Sequence, residues 1–226
     1  MLYIQGKIKG LDSVRRQFAD IPQVIDKAEA SGLNKLAAQA QTASNKAIRE
    51  VYNIKAGDVK KSMKRIPAKA SYGGRAARLF ALLLVSGGRL NLYYFGVRPK
   101  EPAAQKGIPV KKRKGWPTAM MKRGFGRFKI RRDPATGNAP FVARMQSGHQ
   151  GVFVRTGRIS KKWTVRTING REYAYYPETI RELRARSVAQ MFEKHARESL
   201  TRLLEEKGPA VMRRELEYYL SKIKKP

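Results

Sequence analysis

Residues 139–157 read APFVARMQSGHQGVFVRTG. Two apolar runs, Pro140–Met145 and Val152–Val154, flank Ser147-Gly148-His149-Gln150-Gly151. Glycine reaches positive φ without a side-chain clash, and small polar residues tolerate turns, so the stretch predicts strand, tight connection, strand. Downstream, Trp163–Ile168 and Arg171–Tyr176 flank Asn169-Gly170. That dipeptide is the strongest hairpin signal in the chain, because a type I′ turn needs positive φ at both positions. Pro177 ends the second run. Next, Ser187 is placed as the N-cap of a helix with Val188, Met191, Phe192, His195, Ser199 and Leu203 on one broad face. Gly208 fits the position just past its end, and Pro209 the start of another helix. The latter has an apolar stripe of Val211, Met212, Leu216, Tyr219, Leu220 and Ile223.

Upstream of the quoted stretch, residues 98–132 carry 13 Lys or Arg against one acidic residue, Glu101. Pro99, Pro102, Pro109 and Pro117, with several glycines, interrupt regular structure, so a long mobile loop is expected. Its densest part is Lys111-Lys112-Arg113-Lys114, and a second cluster holds Lys122, Arg123 and Arg127 around Phe125. Before it, Arg78–Val85 and Leu92–Val97 read as strands joined by a Gly-containing hairpin loop, Ser86–Asn91. A short helix is expected over Ala56–Lys64, with Val59 and Met63 one turn apart and Ile66-Pro67 ending it. A long Ala- and Gln-rich helix runs from Pro22 to about Val51. Its apolar face is drawn through Leu33, Leu36, Ala40, Ala43, Ala47 and Val51, with Gly32 as a bend or break. Residues 1–10 suggest a strand, and Leu11–Ile21 a short helix capped by Asp12. No repeat of fixed period is present. The order predicts an α+β fold: N-terminal helices, a central, mostly antiparallel sheet of hairpins with a long basic loop, and two C-terminal helices. It is taken as one domain, 1–226, with 98–132 as a flexible insertion and 185–226 as a helical extension.

Composition narrows the function. With 42% hydrophobic residues the chain can bury a core, but 49 Lys+Arg against 17 Asp+Glu leave a formal charge of +32. Charge of that size opposes compaction and calls for a compensating partner, either nucleic acid or acidic protein surfaces. There is no cysteine, which excludes disulfides, thiol nucleophiles and zinc–thiolate sites. The first residues, MLYIQGKIKG, lack the apolar core of a signal peptide, and the longest apolar run, Leu79–Val85, is too short to span a bilayer. A protein made and assembled in the cytoplasm is expected, with no membrane partner.

Catalytic chemistry finds little support. His149 lies between glycines, with Asp133 and Glu172 the nearest acidic residues in sequence, and His195 lies on an apolar helix face near Phe192. A metal-dependent nuclease needs clustered carboxylates, whereas Asp12, Asp20, Asp26, Asp58 and Asp133 are scattered. No phosphate-cradling glycine loop sits between a strand and a helix. The expectation is therefore no catalytic, cofactor or metal site. The basic segment with Trp116, Phe125 and Phe128 fits phosphate neutralisation and base stacking. Docking on acidic protein surfaces fits it as well, as does anchoring of the loop by its aromatics.

The string from Ala139 to Met145, followed by Ser147-Gly148-His149-Gln150-Gly151-Val152-Phe153-Val154-Arg155, resembles the minor tail protein Z family of long-tailed bacteriophages and prophages. In that family an apolar run leads into a GHxGVFxR-like string, which singles out Phe141, Gly148, His149, Gly151, Val152, Phe153 and Arg155. The Ala-rich helix leading to Ile48–Ile54, the Ala77–Val85 and Leu92–Val97 pair, and the stretch from Tyr176-Pro177 into the C-terminal helices are also similar. The resemblance implies a non-enzymatic tail-completion protein of the virion, at the head-proximal end of the tail in the neck. It further implies a homo-oligomer, a hexameric ring around the DNA path. Its neighbours would be the tail terminator, the tail tube or tape-measure end, and the head connector, with contact to phage DNA. The alternative from charge alone is a stand-alone nucleic-acid-binding protein.

Overall fold

The computed structural model describes residues 22–70, 78–100, 116–145, 147–168 and 170–223. The strand and helix expected before residue 22, and the cluster Lys111, Lys112, Arg113 and Lys114, lie outside the described residues. The fold is α+β, with helices at both ends of the chain and antiparallel strands between them. Contacts divide it into two compact units, one formed by Met1–Val51, Lys55–Gly88 and Arg186–Pro226, the other by Tyr52–Ile54 and Arg89–Ala185.

The first unit is built on α1, Pro22–Val51, one uninterrupted helix. Its buried line runs through Ile25, Glu29, Gly32, Leu36, Ala40, Ser44 and Ile48. That line is rotated from the expected face: Leu36 and Ala40 are buried, while Leu33, Ala43, Ala47 and Val51 are half-buried. The cause is polar occupancy of the inner face by Glu29 and Ser44, which a hydrophobic periodicity skips. Gly32 does not break the helix. It admits Met212: a Cβ built there would lie 2.4 Å from the Met212 Sδ. Helix α2, Ala56–Lys61, is followed at once by strand β1, Met63–Ile66, which pairs with β2, Leu82–Val85. The expected helix to Lys64 is therefore too long, and Met63 is a strand residue opposite Val85. Polar side chains of α1 hold this edge. The Asn34 amide donates to the Ala68 carbonyl (3.1 Å) and its oxygen accepts from the Ala68 N–H (2.7 Å). Gln41 donates to the Met63 carbonyl (3.2 Å).

Helix α3, Val188–His195, starts in a full capping box between Ser187 and Gln190, which satisfies two otherwise unpaired main-chain donors. Helix α4 then runs from Arg197 to Ile223 with Pro209 in its interior. The expected boundary at Gly208-Pro209 is thus displaced to Ala196. An interior proline removes one helical bond at a cost of about 3 kcal/mol. Burial of Met212 and Leu216 in the packing of α4 on α1, with Glu215 bonded to Lys35 (2.5 Å) and Ser31 (2.7 Å), offsets that cost. Burial alone would raise the Glu215 pKa. The hydrogen bonds from Lys35 and Ser31 and the charges of Lys35 and Arg214 outweigh it and hold the carboxyl below its usual range.

The second unit centres on the sheet β5–β6–β9: β5, Phe141–Arg144; β6, Gln150–Ile159; β9, Glu178–Glu182. Two shorter hairpins join it in chain order, β3 (Thr118–Ala119) with β4 (Phe128–Lys129), and β7 (Thr164–Ile168) with β8 (Arg171–Tyr175). Leu92–Phe95, expected as a strand, is a 3₁₀ helix. The Asn91 side chain accepts from the Tyr93 N–H, and Gly96 at φ +61° closes the turn, which together bend an aromatic run that composition alone assigns to a sheet. The hairpin expected between Arg78–Val85 and Leu92–Val97 does not form, because β2 is taken by β1.

Candidate functional site in the Gly-His-x-Gly hairpin

The hairpin forms as its sequence predicts. Phe141 faces Phe153, Val142 faces Val152, Ala143 faces Gly151 and Arg144 faces Gln150. Main-chain bonds from Gly148 N to Met145 O (2.9 Å) and from Met145 N to His149 O (2.8 Å) close the turn, with Gly148 at φ +81°. Gly151 is required for space. A Cβ there would lie 2.8 Å from the Phe153 ring and 3.0 Å from the Glu182 carboxylate. Val152, Phe153 and Val154 are consecutive and all buried, so this half of β6 is covered on both faces instead of alternating. Phe141 and Phe153 stack at 6.3 Å between centroids, and the Arg155 guanidinium lies 5.6 Å above Phe141 while its Nη1 pairs with Glu178 (3.4 Å).

His149 has a carboxylate partner that its sequence neighbourhood does not contain. Glu182, at the end of β9, places Oε1 2.6 Å from the imidazole Nε2 and accepts a bond from Arg184 Nε (3.0 Å) with its other oxygen. The Phe153 ring stands edge-on to the imidazole at 6.3 Å. Asn91 completes the cluster, donating to the Gln150 carbonyl (2.7 Å). Asn91 and Glu182 are absent from the residues the sequence singles out. The first reads only as the last residue of the Ser86–Asn91 loop, and the second reaches the site only through strand pairing. An imidazole–carboxylate pair can orient a base, but general-base chemistry also needs a reacting group in reach. Among the described residues no group of three or more His, Asp or Glu is placed to hold a metal. The contacts present tie a turn to the far edge strand.

The basic segment divides. Trp116, with its indole N–H on the Ile130 carbonyl (2.5 Å) and Arg132 stacked 5.1 Å above its ring, ties the two ends of residues 116–132 to each other. Arg127, although exposed, donates to the Gly96 and Thr118 carbonyls. Desolvation, then repulsion from Arg98, lowers its pKa. Lys122 lies 5.3 Å over the exposed Phe125 ring, and Arg123 is exposed. Asp133, buried, accepts from Arg181 and from Thr136 (2.9 Å). No described helix is long and apolar enough to cross a membrane.

Compared with known proteins, the chain matches the family model described as prophage minor tail protein Z (GPZ) over residues 8–225. No curated protein and no solved structure matches it.

Proposed function

The chain belongs to the prophage minor tail protein Z family, and from that premise we propose that it is a non-enzymatic tail-completion protein at the head-proximal end of the phage tail. It is a bacteriophage minor tail protein by family. In the proposed role it assembles as a homo-oligomeric ring, hexameric, in the neck around the DNA path. It docks there between the tail terminator, the tail tube or tape-measure end and the head connector. The family match over nearly the whole chain carries this reading. The +32 charge is consistent with it, since a ring of such subunits closes only where acidic neighbours or DNA offset the repulsion.

Mass spectrometry of purified particles should find the protein in the virion, and electron microscopy of lysates lacking it should show tails that do not join heads. Absence from particles, or normal infectious particles formed without it, would overturn the proposal. The charge favours a second reading, a stand-alone nucleic-acid-binding protein. It predicts a steep fall of log affinity with log salt and loss of binding when residues 105–130 are deleted. The bonds that commit Arg127 and Trp116 to main-chain carbonyls of the protein itself count against it.

A further inference from the structure

Beyond Val154 the character of β6 changes. Arg155 to Ile159 pairs with β9 alone, through an irregular register. The Ser160 N–H then bonds to the Pro177 carbonyl (2.8 Å), and the two strands continue as β7 and β8. These pair with each other and with no other described strand. Every described side chain from Lys161 to Tyr176 is exposed. A lone two-stranded ribbon is marginally stable in water, and this one exposes large apolar groups: Ile159 is 71% exposed, Trp163 62% and Tyr176 58%, with Val165, Tyr173 and Tyr175 also in solvent. Tyr173 and Tyr175, two apart, share one face of the ribbon, while Val165 and its partner Ala174 share the other. Residues 158–176 carry five Lys or Arg against Glu172.

We propose that the 158–176 ribbon is a docking arm that inserts its aromatic and aliphatic faces into an acidic-rimmed apolar surface of another protein of the tail. The arm's excess positive charge selects the sign of the rim. A second copy of this chain, at +32, repels the arm unless acidic neighbours or DNA offset the charge, so an acidic protein is its better match. Ile159, Val165 and Ala174 offer nothing to a phosphate backbone, which argues for protein over nucleic acid. A cluster of exposed aromatic and aliphatic groups with a polar margin has the anatomy of a protein interface, core and rim.

The inference rests on the tail-protein reading and can be tested separately from it. Tails purified from a lysogen deleted for this gene serve as the probe, with labelled full-length protein added back. Wild-type protein should bind them, with affinity falling as salt rises. Trp163→Ser combined with Tyr173→Ser should weaken binding at least tenfold, and Lys161→Glu with Lys162→Glu should do the same. Both variants should melt at the wild-type temperature and keep wild-type self-association and DNA affinity. Equal tail binding by wild type and variants overturns the docking arm while leaving the tail role standing. A change in self-association or DNA affinity in place of tail binding also overturns it, in favour of a second copy or nucleic acid. Failure of the wild type itself to bind tails overturns both.

Discussion

Two hairpins of the second unit begin from similar sequence signals and end in opposite environments. The β5–β6 hairpin turns through Gly148 and is stitched into a sheet by Glu182 and Asn91. The β7–β8 hairpin turns through Gly170, at φ +76°, and stands with its described side chains in water. Local turn chemistry made both. Their roles differ because only the first has a third strand, β9, alongside it over its buried residues. A glycine turn between apolar runs therefore specifies a hairpin without saying whether it is core or arm.

That contrast can be broken or sharpened by substitution. The largest effect is expected at Phe153, whose truncation to Ala should cost about 3–5 kcal/mol by denaturant or thermal melting. A loss below about 1 kcal/mol would mean that the first hairpin is not core. Gly151→Ala should cost about 1–3 kcal/mol, since Phe153 and Glu182 leave no room for the methyl. A neutral result would show that the sheet edge yields. His149→Ala should cost about 1 kcal/mol or less, because the imidazole is half exposed (48%). A double-mutant cycle with Glu182→Gln should reveal coupling between the two, and additive losses would deny the pair a structural role. Tyr173→Ser in the arm should change stability by no more than about 0.5 kcal/mol. A larger loss would make the arm part of a core.

The first unit supplies an acid-sensitive reference. Glu215 titrates below its unfolded value, so its contribution is intact above the unfolded-state pKa and is lost as pH falls through the folded one. Melting temperature should drop in acid, and less so in Glu215→Gln, which lacks that titration. Equal acid sensitivity in both proteins would place the loss elsewhere.

Much of the chain was legible from its residues. The helix Pro22–Val51, the Ser187 cap, and the hairpins around Gly148 and Gly170 follow from periodicity and turn chemistry. The errors share a cause, which is competition that a local window does not contain. Leu92–Val97 has strand composition, yet the Asn91 cap and Gly96 curl it into a 3₁₀ turn. Pro209 reads as a helix start, yet the packing of α4 on α1 carries the helix through it. The inner face of α1 was misplaced because Glu29 and Ser44 occupy it. At the candidate site, Phe141, Gly148, His149, Gly151, Val152, Phe153 and Arg155 were all legible as one hairpin. Glu182 lies 33 residues from its partner His149, and Arg181 lies 48 from its partner Asp133.

By itself the sequence determined the class of fold, the positions of the glycine turns, the excess of positive charge and the family string, because each depends on residue type and short spacing. Tertiary structure alone decided that β2 pairs with β1, that β9 brings a carboxylate to His149, and that one hairpin is buried while the other is an arm. Those outcomes depend on which strand lies beside which. Strand pairing is selected by burial summed over the whole unit, a quantity that no short stretch of sequence contains.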